Sequence, residues 1–178
     1  MVVIQLLTVD YDVLERAWEP PLPTDQPATW VEGRGAGSSC HIAHGPEIEA
    51  ILKEEFGRAG LCLKIFHPLG PEENPEFFEW TGSPIIEAAR VQNLFALHDL
   101  APMVYRIVFL NTCCLAQVVE YATGEGKADA HAVQMLIEKY SIGTHNVRDG
   151  KEIFDYRFPC NWVGKWLVDF GGWYFKNG

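Results

Sequence analysis

Apolar and polar positions run along this chain in short stretches whose period switches between two and roughly three and a half, and each switch marks an element. Leu61-Cys62-Leu63-Lys64-Ile65-Phe66 predicts a strand closed by Pro68 and Gly70, with Leu61, Leu63 and Ile65 on one face and Cys62, Lys64 and Phe66 on the other. Val104 to Leu110 and Cys113 to Val119 predict two more strands. Between them and the first strand lies the clearest helical pattern: Ser83 suits an N-cap, Pro84 the first helical position, and Ala88, Val91, Leu94, Phe95 and His98 recur at helical spacing before Pro102 stops the run. Residues 46–57 and Ala128 to Tyr140 predict two further helices.

The turns fall where the chemistry of the residues puts them. Thr29 to Glu32 reads as a strand entering the Gly-rich segment Gly33-Arg34-Gly35-Ala36-Gly37-Ser38-Ser39 and leaving through Cys40 to His44, which predicts a hairpin. Glu120 to Gly126 reads as a connection, Arg148 to Lys151 as a turn, and Val163-Gly164-Lys165-Trp166 as a tight hairpin into a strand bearing Asp169. Residues 1–27 begin apolar and end in a stretch with four prolines, Pro20, Pro21, Pro23 and Pro27, which predicts an extended lead-in arm.

Composition narrows the class. With 178 residues, 48% hydrophobic and 21% charged, the chain has the make-up of a globular domain with a core of ordinary size. A net charge of −10 argues against a phosphate-backbone binder, so nucleic acid is not an expected partner. No run reaches the roughly 20 apolar residues of a membrane span, and the N-terminus has no basic leader. Five cysteines without a CxxC pair suit reduced thiols, so a cytoplasmic setting and no membrane are expected.

Four features carry candidate chemistry. Asp169 is one carboxylate in the apolar and aromatic run Trp166 to Phe175, and a buried unpaired carboxylate costs several kcal/mol, so it needs a cation, a metal or the surface. The alternate glycines Gly33, Gly35 and Gly37 with Ser38 suit either a flexible hairpin tip or a cradle that offers N–H groups to phosphate. Lys64 interrupts a mostly apolar face, either as a snorkelling lysine or as a phosphate-binding cation. Glu87 shares a helical stripe with Val91 and Leu94, which asks for a cation, Lys64 being the natural one, or for the favour of the helix dipole. The six histidines show no metal-ligand spacing.

In this order, a Gly-rich turn, a lysine strand, a glutamate helix, two strands, a connection, a helix and Asp169-Phe170-Gly171, the chain resembles the protein-kinase-like superfamily, closest to the aminoglycoside and choline phosphotransferases. The resemblance implies an α+β, protein-kinase-like fold: a five-stranded antiparallel sheet with one main helix, a hinge and an abbreviated C-terminal lobe. Its implied organisation is an arm at 1–27, an N-lobe at 28–122 and a C-lobe portion at 123–178. It also implies ATP and Mg2+. Gly35, Gly37 and Ser38 would cover the phosphates and Lys64 would bind them, held by Glu87; Glu120 and Tyr121 would lie at the hinge against the base; Asn161 and Asp169 would be metal ligands.

The chain departs from that pattern in two places. The expected Asp-x-x-x-x-Asn spacing is absent: Asp155 stands six residues before Asn161 and is the preferred catalytic base, with Asp149 the alternative. Only seven residues follow Gly171, where the family's large lobe would continue. The expectation is a phosphotransferase acting on a small-molecule hydroxyl, with a catalytically inactive, pseudokinase-type module that binds nucleotide or protein as the alternative. Either leaves room for a protein partner or a missing C-terminal part.

Overall fold

The structure, a computed structural model, describes residues 5–17, 33–35, 38–68, 77–111 and 114–177. In chain order these form β1 (Gln5–Leu7), α1 (Tyr11–Ala17), β2 (Gly33–Gly35), β3 (Ser38–Ala43), α2 (Pro46–Phe56), β4 (Leu61–Pro68) and α3 (Phe77–Leu97). Then come β5 (Val104–Leu110), β6 (Cys114–Glu120), α4 (Ala130–Lys139), β7 (Ile142–Thr144), β8 (Val147–Arg148) and β9 (Lys151–Glu152). Two single 3-10 turns, Asp155–Arg157 and Pro159–Asn161, precede β10 (Trp162–Val163), β11 (Trp166–Leu167) and β12 (Trp173–Phe175). The chain is mixed α+β and divides into two compact units, the first drawing on residues up to 22, 30–78 and 104–121, the second on 79–103 and from 122 onward. This division differs from the 28–122 and 123–178 boundaries read from the sequence, because most of α3 clusters with the C-terminal elements.

The first unit is a sheet with two helices on one face. Its strand order is β1-β5-β6-β4-β3-β2. The sheet is not the expected five-stranded antiparallel one: β2 lies at Gly33–Gly35, within the expected glycine tip, and the sheet is mixed and has six strands, because β1 adds to β5 in parallel, pairing Gln5 with Val108 and Leu7 with Leu110. The residue that makes this possible is Asn111. Its Oδ1 accepts from the Val9 amide at 2.8 Å, its Nδ2 donates to the Val9 carbonyl at 2.7 Å, and its own amide donates to Leu7 at 3.0 Å. The predicted lead-in arm therefore starts with a strand and a helix; its prolines lie outside the described residues, as do Thr29 to Glu32.

Alternation along β4 decides which face is core. Leu61, Leu63 and Ile65 are buried with Ala43, Ala116, Val118 and Val108 against Leu14 and Ala17 of α1 and Ile48 and Leu52 of α2. Each such leucine or isoleucine contributes about 1.5–3 kcal/mol on burial. The helix α2 begins with Pro46, whose missing N–H costs nothing at that position, and ends at Gly57, in the left-handed region at φ 72°, whose amide donates to the Lys53 carbonyl at 2.8 Å.

Aromatic packing builds the second unit. Ala88, Val91 and Phe95 of α3 and Val133 and Leu136 of α4 enclose Phe154, Trp162, Leu167, Phe170 and Trp173. Trp173 is the hub, with ring centroids 4.8 Å from Phe170, 5.0 Å from Phe154 and 5.7 Å from Phe95. Asp129 caps α4 by accepting from the Ala132 amide at 3.0 Å. Two hairpins, β8–β9 and β10–β11, and the antiparallel pair β7–β12 complete the unit. Asp149 and Gly150 turn β8 into β9 with φ of 51° and 73°, the left-handed pair that a two-residue hairpin favours. At Gly164, φ 57°, an added Cβ would collide with the backbone of Gly124 and Glu125, so only glycine fits that turn.

The helix α3 starts at Phe77, earlier than the predicted cap at Ser83, so Ser83 and Pro84 lie inside it. Proline there forgoes one backbone bond to the preceding turn, a loss a 21-residue helix tolerates. Asp169 likewise lies in a turn after β11, not in a strand. Among the described residues no helix is long and apolar enough to cross a membrane.

Candidate functional site

The half-buried Lys64 lies on the sheet face opposite the aliphatic core. Its strand is flanked on one side by β3, the second arm of the glycine hairpin, and on the other by β6, which ends at Glu120 where the predicted connection begins. Register puts Ile42, Lys64, Gln117 and Ile107 in one row across four adjacent strands. The ammonium of Lys64 stands 5.7 Å from the centroid of the Phe66 ring, on the same face. Gln117 is only 3% exposed, and its Oε1 has no hydrogen-bond partner among the described residues. An amide oxygen buried without a donor costs about 1–3 kcal/mol.

The glycine segment is mostly paired backbone. Gly33 faces Cys40, Arg34 faces Ser39 and Gly35 faces Ser38 in the β2–β3 ladder, so Gly35 and Ser38 close its last described pair. Gly37 lies outside the described residues. At the other end of the face, Glu120 pairs with Leu61 in the ladder. The Tyr121 amide donates to the Gly60 carbonyl at 2.8 Å, and its ring stacks on His44 at 3.6 Å, so that N–H and one ring face are already engaged.

Glu87, Asp155, Asn161 and Asp169 all belong to the second unit, whereas Lys64 belongs to the first. Glu87 lines a shallow depression of about 250 Å³ with Arg90, Tyr140, Phe175 and Asn177. Val168 and Phe170 are each 2% exposed and anchor the turn that carries Asp169 between them. Phe170 packs on Phe95 at 5.3 Å, which ties this turn to the helix of Glu87. Asp169 is half-buried, and its Oδ1 accepts from the Gly171 amide at 3.0 Å. The cost of a carboxylate in an apolar run is thus met locally, by a turn in which the side chain caps its own backbone.

Asn161 and Asp169 are drawn near each other by the Val168 amide, which donates to the Asn161 carbonyl at 2.9 Å. The Asn161 Nδ2 donates to the Asp155 carbonyl at 3.0 Å, which fixes the amide and leaves its Oδ1 with only a long contact of 3.9 Å from the Cys160 thiol. One amide oxygen and one carboxylate are hard donors of the kind that hold magnesium together with phosphate oxygens and water. They fit that ion. Among the described residues no cluster of three or more His, Cys, Asp or Glu side chains could hold a metal by itself.

Asp155 Oδ2 accepts from the Trp173 indole N–H at 3.2 Å, so this carboxylate secures the hub of the aromatic core. Asp149 sits in the left-handed turn between β8 and β9, where an aspartate is favoured for conformation alone.

Sequence reasoning passed over a second carboxylate network. Asp99, in the left-handed region at φ 59°, accepts from Lys165 Nζ at 2.6 Å and from the Trp166 indole at 3.1 Å, clamping the β10–β11 hairpin to the end of α3. These two bonds, Lys165 first, hold the Asp99 carboxyl below its ordinary range. Lys176 and then the Thr144 amide do the same for Glu152. The partners lie 66 and 24 positions away, beyond any local pattern. Compared with known proteins, the sequence matches no family model and no curated protein.

Proposed function

We propose that this chain is a kinase-like protein that binds Mg-ATP and passes the γ-phosphoryl group to a small-molecule hydroxyl. The observation that carries the reading is the position of Lys64: a lysine on the non-core face of a strand flanked by the glycine hairpin and by the strand leading to Glu120 and Tyr121. Gly35, Gly37 and Ser38 would close over the phosphates, Lys64 would neutralise them, and Glu120 and Tyr121 would border the base. In the second unit Asn161 and Asp169 would present their oxygens to magnesium. When bound, the ion offsets charge on the transferring phosphoryl group; the rest of the task in this class is positioning.

A second reading, nucleotide binding without transfer, is favoured by one observation. The Asp155 carboxylate is committed to Trp173, which weakens its claim to be the base.

Thermal unfolding with and without Mg-ATP tests the reading. A ligand at a hundred times its dissociation constant stabilises the native state by about 2.7 kcal/mol, or roughly 5–10 °C for a chain of this size. Asp169→Asn is the matched control, because asparagine keeps the oxygen that caps Gly171 while losing the charge. The expected result is a shift in the parent protein and none in the variant. No shift in either at millimolar nucleotide refutes the reading, and a shift without ADP formation selects binding without transfer.

A further inference from the structure

We propose that the depression between α3 and the ends of α4 and β12 binds a small zwitterion, an α-amino acid with an apolar side chain, its ammonium held by Glu87 and its carboxylate by Arg90. The depression lies wholly within the second unit, and its lining is Glu87, Arg90, Tyr140, Phe175 and Asn177. Glu87 and Arg90 stand three positions apart on α3, so they share one face of the helix, with Cβ atoms about 5–6 Å apart. That spacing lets a glutamate and an arginine pair, yet among the described residues neither takes part in an ion pair or a hydrogen bond. Glu87 is also half-buried, where a carboxylate without a cation costs more than it does in open solvent. Two opposite charges held side by side and left unbridged complement a ligand that carries both.

The rest of the lining supplies apolar surface and is tied down. Phe175 is half-buried against the aromatic core and pairs with Ile142 in the β7–β12 ladder. The Tyr140 amide donates to the Leu136 carbonyl at 3.0 Å, and the Lys176 amide donates to the Ser141 carbonyl at 2.9 Å. Tyr140, 37% exposed, and Phe175 thus offer an apolar side chain two aromatic rings on fixed backbone. The Asn177 amide can donate to the carboxylate and accept from the ammonium. At about 250 Å³ the space is smaller than the roughly 300–1,000 Å³ of sites that enclose larger ligands, which suits an occupant the size of one amino acid. The inference stands apart from the nucleotide reading and gives Glu87 a role other than partner to Lys64.

Ligand-observed NMR titrations of the full chain with L-phenylalanine, phenylpropionate and phenethylamine test the proposal, the last two being the same skeleton without the ammonium and without the carboxylate. L-Phenylalanine is expected to bind about tenfold or more tightly than either relative. Arg90→Met should weaken L-phenylalanine about tenfold or more and leave phenethylamine unchanged. Glu87→Gln should weaken L-phenylalanine by a similar factor and leave phenylpropionate unchanged. Both variants are expected to keep the urea midpoint of the parent, since neither side chain has a partner among the described residues to lose. No binding of L-phenylalanine at millimolar concentration overturns the proposal. So does equal affinity for all three compounds, which would make the depression a site for the ring alone. A loss of binding that comes with a lowered midpoint in both variants also overturns it, because the two charges would then serve the fold.

Discussion

The two units bury their cores by different means. In the first, aliphatic side chains from long strands fill one face of a sheet, and Lys64 and Gln117 stand on the other face. In the second, strands of two or three residues are too short to hold themselves, and an aromatic cluster around Trp173 joins them to α3 and α4. There the candidate groups are wired into the core: Asp155 to Trp173, Asn161 to Asp155, Asp169 to its own turn. The lesson is that a side chain in the first unit can be changed for its chemistry alone, whereas at these groups of the second, chemistry and architecture change together.

The strongest way to break this comparison is Trp173→Ala. Trp173 is 1% exposed, and its loss is expected to cost about 3–5 kcal/mol in urea unfolding. Hydrogen exchange should show the lost protection concentrated in the second unit, while Leu63→Ala, at a similar cost, should loosen the first. If either variant loosens both units equally, they fold as one body and the contrast fails.

A smaller effect sharpens it. Asp155→Ala strands the Trp173 N–H and is expected to cost about 1–3 kcal/mol. Lys64→Met, in the first unit, is expected to cost under about 1 kcal/mol while lowering nucleotide affinity. Equal costs in denaturant would mean that Lys64 is as structural as Asp155.

What was legible in the sequence follows the same division. The helix α2 and strands β4, β5 and β6 announce themselves through capping residues and alternation, because a half-buried element must repeat its pattern. The three-residue β1 has no period to detect and depends on a side chain, Asn111, far along the chain. The start of α3 was misplaced because Ser83-Pro84 is a good local start that the longer helix overrides. At the candidate site, the glycine segment, Lys64 and Asp169 were legible as residue types, but the turn that holds Asp169 was not, since its apolar neighbours read as a strand. The commitment of Asp155 to Trp173 was not, since the two meet only when the aromatic core closes across 18 positions.

The smallest expected effect is acid sensitivity. Asp99 and Glu152, both in the second unit, have folded-state pKa values below the ordinary carboxylate range. Their contribution is complete above about pH 4–5, where the unfolded groups are already ionised, and it is lost as pH falls through the lowered folded values. Lys176→Met removes the main cause for Glu152 and should flatten the loss of stability between about pH 5 and pH 3, measured by unfolding across pH. Exposure of these pairs keeps the effect modest. An unchanged profile would assign the acid response elsewhere.

The Asn111 clamp also orders events in time. Val9 and Asn111 are 102 positions apart, so docking β1 closes a loop that contains every other strand of its sheet except β6. Closing it in an open chain carries an entropic cost that grows with the logarithm of its length, before any contact repays it. Once β3, β4, β6 and β5 have zipped together, the same closure is shorter and its acceptor edge is already formed. The parallel strand at the edge is thus expected to arrive last in folding and, by the same logic, to leave first.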